Sequence, residues 1–459
     1  MPELFAGGAP EFGGGHGEVR AQCNRTRSVG LVSGSVTSNV RTDVSGVSAR
    51  CYDRGMYGFS SMPEVSEDAA KRVLTEARAN AAFLGGHAGI DGRSLAGVTR
   101  GTLAEPEAAA DLPQKVYLDF LRALDDYIVR TYPNLDGREV HLRHQCFEKR
   151  LWTSDAWSGH TILPRTHIYV TLKSQTPSGQ AVELFRPLGG YGTLEDQFTA
   201  PEALFPEIDA LHEKLMKKRE GVYAEAGMKT VILGADLCGI LAHEAVGHTV
   251  EADLVRGGSV AGRCLGKQVA SEKVTLVDFA HTALGKPAPL PVYIDDEGTP
   301  ARDAVIIENG VLKRYMNDRD SAARYEQEPL GNARAWGFSD EPLIRMRNTA
   351  ILPGTDKLGD MISSVDDGYY LLVANNGQAD LTGEFMFGVC HGYEIKNGKL
   401  GRAILDTTIS GVAFEMLKTV DMVSDDMEWS CAGTCGKKQP MAVGMGGPAL
   451  RCRVMIGGR

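Results

Sequence analysis

The stretch VILGADLCGILAHEAVGHTV, residues 231–250, decides how the second half of the chain is interpreted. It begins with an apolar run at 231–233 that ends at Gly234, and an almost wholly apolar segment follows at 237–250. A short apolar run bounded by glycine is typical of a buried strand, and the longer segment is compatible with a helix. The helix would carry His243, Glu244 and His248, and a carboxylate on an apolar segment needs a reason because its burial is costly. The sequence therefore predicts a strand leading into a helix with a polar role.

Two Asn-Gly pairs predict hairpins in the same half of the chain. The stretches VIIENGVL at 305–312 and YEIKNGKL at 393–400 each set Asn-Gly between apolar residues, which is the strongest short-range hairpin pattern. Residues 369–374 and 450–456 are also strand-like. Hairpins and short strands of this kind form antiparallel sheets, so we expect a mainly antiparallel β structure with the helix packed on it.

The first half of the chain alternates between strand and helix signals. Residues 19–59 are rich in Val, Ser, Thr and Gly, which predicts antiparallel strands joined by tight turns. Ser66 can cap a helix that ends at the glycines after Leu84, Pro113 can open a second helix, and a third is expected at 203–218.

These signals together predict an α+β fold. The first 17 residues contain six glycines and no hydrophobic period, so we expect a disordered, glycine-rich leader at 1–17. An N-terminal α+β domain at 18–227 should follow, and then a mainly β C-terminal domain at 228–459 that carries the helix.

Composition excludes several classes of protein. With 43% hydrophobic and 24% charged residues among 459, the chain is typical of globular proteins. A net charge of -10 argues against nucleic acid as the main partner, and the brief basic cluster at 214–219 is typical of a solvated helix face. No apolar run is long enough to span a membrane and the N-terminus lacks a secretory pattern, so we expect a cytoplasmic protein. Nine scattered cysteines indicate reduced thiols rather than a disulfide framework.

The spacing of His243 and His248 is informative about metal binding. In a regular α-helix, residues four apart are separated by about 40° around the axis and residues five apart by about 140°. Two imidazoles five apart can therefore share one metal only if a π-type turn brings them onto one face, and such turns are common at functional sites. Gly247 is expected to supply the backbone freedom for that turn. The alternative is two unrelated histidines near a core helix.

A catalytic zinc site usually has three protein ligands and a water, so a third ligand is needed. The candidates are Glu251, Asp253, Cys431 and Cys435. Cys435 is favoured because glycines at 433 and 436 let the backbone bring the thiolate close, and Lys437 could keep the thiol ionised. The carboxylates of Glu251 and Asp253 would then support the ligands from behind.

Three consecutive acidic residues, Asp295, Asp296 and Glu297, allow two interpretations. It could form another metal site, but Asp-Asp-Glu-Gly before Thr-Pro is more typical of a polar turn.

Five motifs in one order resemble a known family. HEAVGH at 243–248, IDDEGTP at 294–300, IENGVLK at 307–313, NTAILPG at 348–354 and GTCGK at 433–437 resemble the TldD branch of the TldD/PmbA family. The resemblance covers residues 228–459, and the N-terminal half is similar only in its strand-then-helix layout.

The resemblance implies a cytoplasmic zinc metallopeptidase that hydrolyses small or unfolded peptides. It implies that His243, His248 and Cys435 bind Zn²⁺ and that Glu244 is the catalytic acid and base. A dimer is also implied, with an identical chain or with a paralogous noncatalytic subunit that lacks HExxxH. Neither nucleic acid nor membrane is an expected partner. The alternative function is a noncatalytic regulatory subunit that binds peptides or proteins.

Overall fold

The computed structural model describes residues 1, 4–5, 8–88, 94–98, 101–103, 111–155 and 157–457, without the side chains of Trp157 and Cys431. The strands of the first half are β1 (His16–Val32), β2 (Ser35–Asp53), β3 (Met56–Met62), β4 (Gly101–Thr102), β5 (Gly137–Thr153), β6 (Trp157–Gln175) and β7 (Ala181–Tyr191). They form one sheet in the order β3-β2-β1-β5-β6-β4, with β7 also paired to β6. Adjacent strands are antiparallel except for β4 and β6.

Four α-helices accompany this sheet. They are α1 (Glu67–Ala88), α2 (Gln114–Thr131), α3 (Leu194–Gln197) and α4 (Phe205–Arg219), and a 3₁₀ turn, Pro201–Leu204, precedes α4. The predicted cap is present, since the Ser66 hydroxyl accepts a hydrogen bond from the backbone N–H of Ala69 at 3.1 Å. The apolar face of α1 packs with β1 and β2, and α2 and α4 pack in a separate cluster with β5 and β6. The basic cluster on α4 is mostly exposed, but Lys218 is buried and donates to the carbonyl of Glu183.

The prediction of a disordered leader is wrong for the described part of residues 1–17. Leu4 and Phe12 are buried in the apolar cluster that contains α1, and β1 already begins at His16. Gly17 makes room for this packing, because a Cβ added to it would lie 2.9 Å from the Phe12 ring. A few large apolar side chains are therefore enough to anchor a segment whose composition is dominated by glycine.

The described part of the second half contains a seven-stranded and a six-stranded sheet, besides two sheets of two strands each. Its strands are β8 (Gly227–Leu233), β9 (Leu276–Phe279), β10 (Thr282–Ala283), β11 (Lys286–Pro287), β12 (Ala304–Glu308), β13 (Val311–Leu312), β14 (Ala333–Arg334), β15 (Leu343–Ile344), β16 (Asn348–Ile351), β17 (Asp367–Ala379), β18 (Glu384–Lys396), β19 (Lys399–Ala403), β20 (Thr407–Val412), β21 (Met422–Val423), β22 (Glu428–Cys435), β23 (Met441–Gly447) and β24 (Leu450–Gly457). One sheet has the order β17-β8-β24-β20-β18-β19 and the other β13-β12-β9-β16-β23-β22. Most pairs are antiparallel, and β8–β17 and β16–β23 are parallel.

Both predicted Asn-Gly hairpins are confirmed. Asn309 and Gly310 have φ values of 47° and 81°, and Asn397 and Gly398 have values of 50° and 70°. Two successive positive φ values are what the favoured two-residue hairpin turn requires.

The helices of this half are short. They are α5 (Ala235–Ile240), a π turn (Leu241–Gly247), a 3₁₀ turn (His248–Val250), α6 (Ala252–Arg256), a second 3₁₀ turn (Val260–Arg263), α7 (Arg319–Arg324), α8 (Leu358–Ser363) and α9 (Ala413–Lys418). Helix α5 contacts β17 of one sheet and β23 of the other, so the segment from α5 to the π turn is buried where the two sheets meet. The predicted α+β class with mainly antiparallel sheets is confirmed, whereas the division at residue 227 stays a prediction. No helix in the described part of the chain is both long and apolar enough to cross a membrane.

Candidate metal centre

The predicted π turn is confirmed at the two histidines. After β8, Gly234 precedes α5, and the helix widens into a π turn at Leu241–Gly247. The backbone N–H of His248 donates to the carbonyl of His243, which is the i→i+5 bond that defines such a turn. As a result the two imidazole rings lie next to each other, with centroids 5.1 Å apart and their planes at 80°.

Gly247 has a different role from the one predicted for it. Its φ and ψ, -53° and -50°, are ordinary helical values that any residue adopts, so backbone freedom is not the reason for a glycine here. A Cβ at this position would instead lie 2.0 Å from the sulfur of buried Met346. The glycine therefore allows the π turn to pack closely against the segment that leads into β16.

Close backbone packing also brings Cys435 to the helix. A Cβ on Gly447 would lie 2.3 Å from the Cys238 sulfur, and one on Gly239 would lie 2.9 Å from the backbone nitrogen of Gly446. Helix α5 thus lies directly on the backbone of β23. Strand β22 pairs with β23, with Cys435 opposite Met441, so the sheet delivers the thiol to the C-terminal end of the helix.

The structure brings His243, His248 and Cys435 together. One ligand atom from each lies within 4.8 Å of the others, and the Cys435 sulfur is 3.3 Å from Nε2 of His248. No other group of His, Cys, Asp or Glu side chains in the described ranges has this arrangement. Burial alone would raise the pKa of the Cys435 thiol, but the two adjacent imidazoles outweigh it and lower that pKa to about 3. The sulfur is therefore a thiolate at neutral pH, which is the form that binds metals.

The hydrogen bonding of these side chains fits a metal ion. Among the described residues, neither ring nitrogen of His243 has a hydrogen-bond partner, although the side chain is only 1% exposed. Buried polar atoms without partners are rare and require an explanation. Two imidazole nitrogens and one thiolate are a donor set that suits zinc and leaves a fourth position for water.

Glu251 contacts His248 on the side of the ring away from Cys435, and Lys437 contacts Glu251 in turn. Nδ1 of His248 lies 2.7 Å from Oε2 of the fully buried Glu251, which leaves Nε2 of that ring directed at the thiolate. Lys437 was expected to act on the thiol, but its ammonium lies 3.2 Å from Glu251 and 2.9 Å from Asp253. Neither carboxylate belongs to the three-residue cluster. The side chain of Cys431, the remaining candidate, lies outside the described residues.

Glu244 lies next to the cluster and is accessible to solvent. Its carboxylate oxygens are 3.9 Å from Nε2 of His243 and 3.7 Å from Nε2 of His248, and the side chain is 29% exposed. If these nitrogens held a metal ion, the carboxylate could contact a water bound to that ion. A general base has to lie within hydrogen-bonding reach of the water that it deprotonates.

Sequence reasoning missed the buried arginines that hold the cysteine strand. Arg345 is fully buried and donates to the backbone carbonyls of Cys435 and Gln439 at 3.1 and 2.8 Å. Arg334 donates to the carbonyls of Met346 and Ala442. The stretch LIRMRN, residues 343–348, gave no usable signal of this burial, because arginines that alternate with apolar residues are also typical of a strand with one face in solvent.

The acidic cluster at 295–297 is a turn, but a buried one. The N–H of Gly298 donates to the carbonyl of Asp295 at 3.2 Å. The three carboxylates have protein partners, since Glu297 contacts Arg50 at 2.5 Å, Asp296 contacts Lys149 at 2.7 Å, and Asp295 accepts backbone hydrogen bonds. Protein cations and N–H groups from elsewhere in the chain therefore occupy the positions that a second metal would need.

Comparisons with known proteins agree with these observations. A family profile described as PmbA/TldA metallopeptidase C-terminal domain matches residues 226–458, and one described as PmbA/TldA metallopeptidase domain 1 matches residues 17–81. A metalloprotease TldD homolog of Buchnera aphidicola is 41% identical over 240 residues, which are 51% of this chain and 49% of the relative. A zinc metalloprotease TldD homolog of Saccharolobus solfataricus is 35% identical over 250 residues, covering 54% of this chain and 56% of the relative.

The fold is also known from solved structures. TldE from Thermococcus kodakarensis superposes with a TM-score of 0.73 at 16% identity, over 95% of this chain and 96% of that one. The matches to the two curated relatives, by contrast, span only about half of their length. The first of the two profiles covers more than half of the chain and includes every member of the candidate metal centre. The chain belongs to the PmbA/TldA metallopeptidase family, which is the TldD/PmbA family that its motifs resemble.

Proposed function

We propose that this chain is a zinc-dependent peptidase in which His243, His248 and Cys435 bind one zinc ion. The observation that carries the proposal is the convergence of these three ligand atoms around a histidine whose ring nitrogens have no other partner among the described residues. Its relatives are named metalloproteases, and one is named a zinc metalloprotease. The donor set of two nitrogens and one thiolate favours zinc over the harder Mg²⁺ and Ca²⁺.

The catalytic step follows from the position of Glu244. When bound, zinc would activate a water and polarise the scissile carbonyl. The Glu244 carboxylate accepts the proton of that water and then delivers it to the leaving amine. Glu251 holds the ring of His248 through Nδ1, so Nε2, the nitrogen that would bind the metal, keeps its direction.

The proposed substrates are small or unfolded peptides, bound as an additional strand along a sheet edge. Strand β22, which ends at Cys435, is the last strand of its sheet in the described structure. Backbone pairing of this kind recognises extended peptides with little dependence on sequence. We further propose that the protein acts in the cytoplasm as a dimer, with a second copy or with a paralogous noncatalytic subunit.

The test combines metal analysis with cleavage of an unstructured peptide followed by mass spectrometry. We expect about one zinc per chain. Glu244→Gln should retain that zinc and abolish cleavage, and addition of a chelator to the unmodified protein should also abolish it. Glu308→Gln is the matched control, because Glu308 is exposed and its ion-pair partner in the described part of the chain is Lys313 on the same hairpin.

Three results would contradict the proposal. These are purified protein without zinc, a Glu244→Gln variant that still cleaves, and a zinc-loaded protein that binds peptides without cleaving them. The last result would identify the chain as a noncatalytic, peptide-binding regulatory subunit.

A further inference from the structure

A cleft lies between the N-terminal sheet and the segments that follow the metal helix. Phe147, Lys149 and Leu151 alternate along β5 and therefore share one face of the sheet. Leu163, Thr161 and Gly159 lie opposite them on β6 and complete this wall. The facing wall comes from residues 290–296, 334–336 and 441–442. The cleft is partly open to solvent and has room for a few water molecules, which is about the space of one side chain.

Two of the charged side chains that line the cleft, Lys149 and Asp296, pair with each other, and the Asp295 carboxylate is held by backbone groups. The Lys149 ammonium donates to Asp296 at 2.7 Å and to the carbonyl of Ala335 at 2.9 Å. The Asp295 carboxylate accepts hydrogen bonds from the N–H groups of Glu297, Thr299 and Ala333. Arg334, which also lines the cleft, donates to the backbone carbonyls of Met346 and Ala442. A cationic ligand would therefore lose its hydration without gaining a free carboxylate.

The remaining surface of the cleft is apolar. It is formed mainly by Phe147, Leu163, Leu290, Val292 and Trp336. The rings of Phe147 and Trp336 meet edge to face, with centroids 4.8 Å apart. This lining suits an uncharged aliphatic or aromatic group.

The cleft and the candidate metal centre share the β22–β23 ladder. Met441 and Ala442 line it, and in the β22–β23 ladder they lie opposite Cys435 and Thr434. Paired residues on antiparallel strands are about 5 Å apart, so the cleft begins one strand away from the thiolate ligand. An extended peptide advances about 3.3 Å per residue and can reach the cleft within one or two residues of a bond held at the metal.

We propose that this cleft binds an aliphatic or aromatic side chain of the peptide substrate, one or two residues from the scissile bond. The inference rests on the proposed peptidase function and extends it to the substrate class. Backbone pairing alone would give little selectivity, whereas the cleft sets a preference for bonds close to apolar residues.

Binding to the zinc-loaded Glu244→Gln protein tests the cleft without cleavage. Two labelled, unstructured peptides that differ only in a central Phe or Ser are compared by fluorescence anisotropy. We expect the Phe peptide to bind about tenfold more tightly, which is typical of one apolar group entering a pocket. Leu163 is partly exposed on the cleft wall, so Leu163→Trp should fill the cleft and Leu163→Asp should place a charge in it. Each variant should remove the preference for Phe.

Leu400→Trp is the matched control, because Leu400 is 47% exposed on β19 and does not line the cleft. It should keep the tenfold preference. Equal binding of the two peptides, or an unchanged preference in both Leu163 variants, would overturn the cleft proposal. Cleavage of the same peptides by the unmodified protein separates the two claims. Preferential binding without cleavage would refute the peptidase but keep the cleft, and cleavage without a preference for Phe would refute only the cleft.

Discussion

Two buried polar clusters in the second half of the chain look alike in sequence and differ in the structure. The turn at Asp295–Glu297 and the metal centre both place charged side chains in apolar surroundings. In the turn, Arg50 and Lys149 neutralise Glu297 and Asp296. At the centre, the ring nitrogens of His243 have no hydrogen-bond partner among the described residues. Missing partners alone do not mark a binding site, since both ring nitrogens of buried His391 also have none among the described residues; the metal centre combines missing partners with converging ligand atoms.

The largest effect on the metal centre is expected when its thiolate is removed. Cys435→Ser should lower the zinc content from about one per chain to below about 0.1 and reduce peptide cleavage to background, because a hydroxyl is a much weaker zinc ligand. Metal analysis after desalting measures the first effect. Cys264→Ser is the control, since Cys264 is a free thiol outside the cluster and should leave the zinc content unchanged. Full zinc retention in Cys435→Ser would assign the third ligand elsewhere.

A substitution in the acidic turn should change the stability of the protein and leave its zinc content unchanged. Glu297→Ala leaves the buried Arg50 guanidinium with Glu18 as its remaining ion-pair partner. Breaking a buried ion pair costs about 3 kcal/mol, so the free energy of unfolding in denaturant should fall by that amount while zinc content stays the same. Glu308→Ala, on the exposed hairpin, should change it by less than about 0.5 kcal/mol. Loss of zinc in Glu297→Ala would contradict the separation of the two clusters.

A smaller effect is expected where a carboxylate supports a ligand without touching the metal. Glu251→Gln replaces the acceptor at Nδ1 of His248 and should weaken zinc binding about 10- to 100-fold, as measured by competition with a chromophoric chelator. Asp253→Asn removes the other carboxylate that contacts Lys437 and should have less than about a threefold effect, because Asp253 is 34% exposed. Equal effects of the two substitutions would mean that Glu251 acts only through the charge of Lys437.

The packing of the π turn gives the smallest of these effects. Gly247→Ala forces the new methyl group against Met346 and should destabilise the protein by about 1 to 2 kcal/mol. Combining it with Met346→Ala should cost less than the sum of the two single changes, which a double-mutant cycle of unfolding free energies would detect. Gly436→Ala has free space at its Cβ and should change stability by less than about 0.5 kcal/mol. Additive effects at 247 and 346 would show that the contact between the new methyl group and Met346 does not cause the loss of stability.

The sequence predicted what depends on local spacing. The distance of five residues between His243 and His248 predicted the π turn on the premise that both rings share one metal, and Asn-Gly pairs predicted two hairpins. It did not predict the partner of Glu297, because Arg50 lies on β2 and the pairing of distant segments has no local signal. For the same reason, the structural role of Gly247 became evident only from its contact with Met346.

X-ray absorption spectroscopy at the zinc edge of the purified protein tests the central claim most directly. We expect one sulfur at about 2.3 Å from the metal and nitrogen ligands at about 2.0 to 2.1 Å, with the sulfur contribution lost in Cys435→Ser. A protein that contains no zinc, or a zinc shell made only of oxygen and nitrogen, would contradict it.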